Sequence, residues 1–168
     1  MANTTFSGPV RSETTFKAVS KNATTGAITE IATFGAAPIS LADADVTLDN
    51  ATHSGRILLV PDGGQDNTYT LPAPVAGSVF RFVYAGGAAD ATDAIIVTPG
   101  NTNFYIGGVT FLDTDDAISA VFSDGNSNSK IQINVPAGFD VTIVGLDTTN
   151  YQIFGTVTSA TAPTFADQ

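Results

Sequence analysis

The chain has no cysteine and no tryptophan, and one methionine and one histidine in 168 residues. Without cysteine there is no disulfide, no thiolate metal site and no thiol nucleophile, so stability must come from packing or from oligomerisation. A single histidine confines any nucleophile–histidine chemistry to His53. Only two glutamates and three lysines are present, and no long stretch repeats its apolar residues with the helical period, which argues against a helical fold. No apolar run reaches the roughly 20 residues that a membrane helix needs. The opening residues lack the charged-then-apolar layout of a signal peptide, so a product made in a cytoplasm and kept in solution is expected.

Basic residues are equally scarce. Six Lys and Arg stand against sixteen acids, for a formal charge of −10. The distribution is uneven. Residues 1–40 hold Arg11, Lys17 and Lys21 against Glu13 and Glu30, whereas the rest carries fourteen acids against Arg56, Arg81 and Lys130. The body therefore lacks the clustered cations that phosphate neutralisation requires, which excludes nucleic acid as a partner. Its acidity reads as solubility and self-repulsion.

What the sequence does contain is threonine, phenylalanine, valine and isoleucine, residues that favour pleated surfaces. They come in short runs punctuated by sixteen glycines and eight prolines at turn positions. Arg56-Ile57-Leu58-Leu59-Val60 is apolar on both faces, as in a central strand. Ser78-Val79-Phe80-Arg81-Phe82-Val83-Tyr84 sets three aromatics on one face. Further strands are read at residues 42–48, 68–72, 94–98, 103–112, 117–122, 130–135, 140–144 and 150–158, with Ile131, Ile133 and Val135 pointing inward. The predicted class is all-β: a jelly-roll-like sandwich or barrel of about nine strands. Residues 41–158 form the body, 159–168 an exposed C-terminal tail and 1–40 an extended N-terminal arm. No internal repeat of fixed period is visible.

The leader has little alternation, but it spaces Phe6, Phe16 and Phe34 along its length. Disordered tails are poor in aromatics, so the spacing favours a docking arm over a frayed end. Its anchors are Phe6, Pro9, Arg11, Phe16, Lys17 and Lys21.

Few constellations carry chemistry. His53 lies in a turn-like stretch four residues after Asp49, with no nucleophile elbow beside it. Asp43/Asp45, Asp90/Asp93 and Asp113/Asp115/Asp116 pair carboxylates as a glycosidase would, but in turn-like segments where aspartate ordinarily bonds the backbone. Asp124, Asn126 and Asn128 offer oxygens at alternate positions, as at the start of a calcium loop. The continuation fails, because Ser129 and Val135 stand where glycine and glutamate belong. No cofactor, metal or catalytic residue is assigned.

The opening Asn3-Thr4-Thr5-Phe6-Ser7-Gly8-Pro9-Val10-Arg11-Ser12-Glu13 resembles that of small structural proteins from tailed phages, of the marine and cyanobacterial type. Leu59-Val60-Pro61-Asp62-Gly63-Gly64, Tyr84 to Asp90, Ser123 to Asn128 and Ser159 to Asp167 are similar to the same group. The resemblance implies a capsid decoration, or cement, protein. Its partners would be the major capsid protein and two further copies of itself in a homotrimer, and its place the outer capsid surface of a virion assembled in a bacterial cytoplasm. It implies no active site.

Strand addition with buried phenylalanines suits such an arm. Burying one phenylalanine contributes about 1.5–3 kcal/mol, against an ordering cost of about 1–2 kcal/mol per residue. Attachment through several arms is therefore expected. The alternative is a carbohydrate-binding module or tail-fibre tip, with Tyr69, Tyr84, Tyr105 or Tyr151 as stacking platforms. A hydrolase built on His53 or on paired aspartates is a third reading.

Overall fold

A computed structural model describes residues 16–34, 37–87, 89–115 and 117–168, with no side-chain account of 32–34. The strands are β1 (Phe16–Lys21), β2 (Ile28–Phe34), β3 (Ile39–Ser40), β4 (Val46–Thr47), β5 (Arg56–Val60), β6 (Asn67–Thr70), β7 (Val79–Tyr84), β8 (Ala94–Val97), β9 (Phe104–Asp113), β10 (Ile118–Phe122), β11 (Lys130–Ile133), β12 (Pro136–Gly145), β13 (Asn150–Ser159) and β14 (Thr164–Ala166). One short helix, α1 (Asn50–His53), joins β4 to β5. Among the described residues no helix is long and apolar enough to cross a membrane.

The protein is an all-β sandwich. A seven-stranded sheet runs β10-β9-β13-β12-β7-β5-β3, and a five-stranded sheet runs β14-β11-β8-β6-β4. From β3 to β8 the chain switches sheet at every connection, so β3, β5 and β7 lie parallel in one sheet and β4, β6 and β8 parallel in the other. The chain thus winds like a two-sided coil, each turn adding one strand to each sheet. From β9 onward antiparallel pairs close the structure, apart from the parallel β9–β13 ladder.

The core lies between the sheets. Phe80, Phe82 and Tyr84 point inward from β7 while Val79, Arg81 and Val83 alternate outward, as period-two geometry requires. Tyr69 of β6 meets Phe82 across the sandwich with ring centroids 6.2 Å apart. Tyr105 of β9 likewise meets Phe165 of β14 at 6.2 Å. Ile96, Ile131, Ile143 and Ile153 are fully buried around them.

Four expectations are corrected. Fourteen strands among the described residues replace about nine, because β1, β2, β3 and β14 show no alternation long enough to read. The jelly-roll connectivity does not hold, since the parallel neighbours of the winding have no place in its antiparallel Greek keys. Residues 159–168 are not an exposed tail. Ser159 and Pro163 are buried, β14 pairs with β11, and the Gln168 side chain donates to the Thr98 carbonyl at 2.6 Å. Val135 is not an inward strand residue: β11 stops at Ile133, and Val135 turns the chain with φ of 38°. Its N–H is held by Asp93 Oδ1 at 2.9 Å.

Within the expected arm, residues 1–15 lie outside the described residues. Residues 16–34 are not extended coil but an antiparallel hairpin, and Ile39–Ser40 belongs to the large sheet. The hairpin turn is built by Asn22, whose Oδ1 accepts from the N–H groups of Thr24 and Thr25, and by Gly26 at φ 74°. That left-handed conformation suits glycine, which has no Cβ to clash. β2 lies beside α1 and β5.

Candidate functional site

Two exposed surfaces carry the functional interest. The first is the hairpin. Phe16, Val19 and Ile28 are 48%, 52% and 66% exposed, although an isolated two-stranded ribbon has no core of its own. Lys17 is not a free cation, because its Nζ bonds Glu30 of the facing strand at 2.9 Å. Lys21 makes no ion pair with another described residue. Phe6, Pro9 and Arg11 lie outside the described residues. Of the six anchors read from the sequence, the structure therefore places Phe16, Lys17 and Lys21 together on β1.

The second surface is the outer face of the seven-stranded sheet. Register aligns Ile57, Arg81, Thr142 and Phe154 in a row across β5, β7, β12 and β13. Arg81 forks onto Asp140, with Nε to Oδ1 at 2.8 Å and Nη2 to Oδ2 at 2.5 Å. The hydrogen bond from Arg81 holds the Asp140 carboxyl below the usual range, and the same pairing raises Arg81. Thr142, Phe154 and Thr156 complete a shallow depression around this pair. At the far edge Ile118 and Phe122 of β10 are 75% and 71% exposed. Nothing in the alternation of 117–122 signalled this, because an edge strand of small and apolar residues reads the same whether covered or bare.

The carboxylates are used elsewhere. Asp45 accepts the Thr68 N–H at 2.8 Å, and Asp66 accepts the Asp93 N–H at 2.8 Å. Asp43 takes Gly64 N and Asn67 Nδ2, while Asp90 takes Gly63 N from the other side. These residues sit in the three connections that lead from the large sheet to the small one, so each carboxylate staples one turn of the winding to the next. The bonds from Asn67 and Gly64 hold Asp43 below its usual range. Asp62, exposed but caught near both Asp90 and Asp43, is pushed up by partial desolvation and then by those negative neighbours. The pairs Asp43/Asp45 and Asp90/Asp93 are thus backbone acceptors. Asp113 likewise accepts the Asp115 N–H at 3.0 Å, and Asp116 lies outside the described residues.

His53 closes α1: its Nδ1 is 3.1 Å from Asp49 Oδ2, and Asp49 Oδ1 caps the helix by accepting from Thr52 N at 2.7 Å. The calcium-like loop is also self-satisfied. Asp124 Oδ1 accepts from the N–H groups of Asn126, Ser127 and Asn128, and Oδ2 from the Ser127 hydroxyl at 2.5 Å. Those bonds, the Ser127 hydroxyl first, hold its carboxyl far below the usual range. Asn128 Oδ1 turns back to Asp124 N. No group of three acidic or histidine side chains among the described residues is placed to hold a metal ion. Tyr69, Tyr105 and Tyr151 are fully buried and Tyr84 is 9% exposed, so none of the four can serve as a platform for a sugar.

Comparison with protein-family models, with curated proteins and with solved structures finds no match for this chain.

Proposed function

We propose that this chain is a structural protein of tailed-phage particles, decorating and stabilising the outer capsid surface without enzymatic activity. It is made in the host cytoplasm and attached to the major capsid protein through its N-terminal segment. The sequence resemblance at both ends and in the middle supplies the family context. The single observation that carries the attachment is the hairpin, which presents Phe16, Val19 and Ile28 to solvent at the root of the leader.

The hairpin also changes the energetics of docking. Because β1 already pairs with β2, less backbone order remains to be imposed when Phe16 is covered, and preorganisation of this kind strengthens binding without new contacts. A homotrimer would multiply the effect through effective concentration. The carbohydrate reading loses its support with the burial of the four tyrosines.

The test is co-sedimentation with capsids assembled without this chain, together with the solution mass of the free protein. The full chain is expected to sediment with the shells and to have the mass of a trimer. Deleting residues 2–21, or changing Phe16 and Ile28 to serine, is expected to abolish sedimentation while the body melts as before. Unchanged sedimentation of these variants would overturn the attachment.

A further inference from the structure

We infer that the open edge of β10 accepts an extended strand of a partner protein, apolar or neutral along its length and basic at its ends. Four edges bound the two sheets of the sandwich: β3 and β4 have two residues each, β14 has three and β10 has five. Short edges offer little template for pairing. β10 is the long one, and Ile118-Ser119-Ala120-Val121-Phe122 carries none of the usual guards: no proline, no charge and no bulge against β9.

The direction of its backbone follows from two bonds that flank the strand. Asp113 N donates to Ala117 O at 2.9 Å, and Ser123 N donates to Gly107 O at 2.9 Å. In an antiparallel ladder the bonded positions alternate, so 117, 119, 121 and 123 face β9. Ile118, Ala120 and Phe122 then direct their N–H and C=O groups away from β9, and among the described residues no backbone bond outside the strand ladders reaches them. The same three residues present their side chains on the outer face. One incoming strand would therefore satisfy the backbone groups and cover Ile118 and Phe122 together.

Charge selects the occupant. Asp113 and Asp115 stand at one end of the strand and Asp124 at the other, with Asp115 and Asp124 exposed. A second copy pairing antiparallel would bring the Asp113–Asp115 end of one strand beside Asp124 of the other, in a chain already at −10. Like charges so placed repel, whereas basic flanks on a different strand would be attracted to both ends. This inference stands apart from the particle reading, because it concerns strand chemistry and not the identity of the shell.

The test uses the full chain and two short peptides of alternating threonine and valine, one capped at each end by lysine and the other by glutamate. Amide exchange and chemical shifts are followed by NMR. With the lysine-capped peptide, exchange at Ile118, Ala120 and Phe122 should slow by roughly tenfold, and the glutamate-capped peptide should bind roughly tenfold more weakly. Ala120→Pro, which removes an outward donor, and Ile118→Lys, which adds a guard charge, should each abolish the protection while the β12–β13 amides stay slow. The inference is overturned by an unchanged edge, by equal binding of the two peptides, or by protection in both variants. Protection that rises with protein concentration in the absence of peptide would also overturn it, by making a second copy the occupant.

Discussion

Asp66 accepts the backbone N–H of Asp93 at 2.8 Å, so the residue before β6 grips the residue before β8 one turn further along the winding. One turn earlier Asp45, the residue before β4, likewise accepts the N–H of Thr68, here within β6. Charge-assisted bonds of this kind are stronger than neutral ones, but Asp66 is exposed and water competes for it. Asp66→Ala is expected to cost about 1 kcal/mol, and Asp66→Asn, which keeps an acceptor, less. Urea unfolding of the three proteins checks the order.

Acid should act on two other carboxylates, Asp90 and Asp140. Partial burial pushes Asp90 upward, but bonds from Gly63, Thr92 and Ala91 outweigh it and leave the group below its usual range. Asp140 is lowered by Arg81. A carboxyl lowered on folding contributes stability above its unfolded pKa of about 3.9, and that contribution is lost as pH falls through the folded value. The melting temperature is therefore expected to fall below about pH 4. Because the Arg81–Asp140 pair is exposed, Asp140→Asn should cost only about 0.2–1 kcal/mol.

Asp62 has the opposite sign. Its folded pKa is raised, so its contribution is favourable below the unfolded pKa and is lost as pH rises through the folded value. Asp62→Asn is expected to raise the melting temperature at neutral pH, with the gain vanishing toward pH 3. Melting curves of both proteins across that range provide the check. A gain that persists at low pH would contradict the assignment.

Tyr69 and Tyr151 should respond differently to loss of their hydroxyls. Tyr151 donates to the Pro72 carbonyl at 2.8 Å. The Tyr69 hydroxyl is buried with no partner among the described residues, Asn67 lying near it outside bonding geometry. Its pKa is pushed up to about 12 by burial and then by the charge of Asp43. Removing a satisfied buried hydroxyl costs about 1 kcal/mol, whereas removing an orphan relieves a desolvation penalty. Tyr151→Phe is expected to destabilise and Tyr69→Phe to be neutral or stabilising, as read by denaturant midpoints.

Gly108 fixes how closely β10 approaches β9. A Cβ there would stand 2.2 Å from the Val121 carbonyl oxygen and 2.9 Å from the Phe122 ring. Backbone cannot yield as a flexible side chain does. Gly108→Ala is expected to cost about 1–3 kcal/mol and to speed amide exchange in β10 before any change appears in β12 and β13.

The all-β class and the position of most long strands are legible in the order of the residues. Alternation in 79–84, the apolar run at 56–60 and the punctuation by glycine and proline are local signals, and local signals survive without a partner strand. That order could not determine pairing, because the alternation of β5 and β7 is the same whether their neighbours run parallel or antiparallel. Nor did it reveal the winding: Asp43 and Gly64, Asp45 and Thr68, and Asp66 and Asp93 lie 21, 23 and 27 residues apart, spacings too unequal to show as a repeat. β3 and β4, at two residues each, are too short for any periodicity to register. That four tyrosines face the core, that the paired aspartates bind backbone, and that β10 lies at a sheet edge follow from the folded arrangement and not from local pattern. Each of these depends on which segments meet across the sandwich, and that is settled by the joint burial of both sheets.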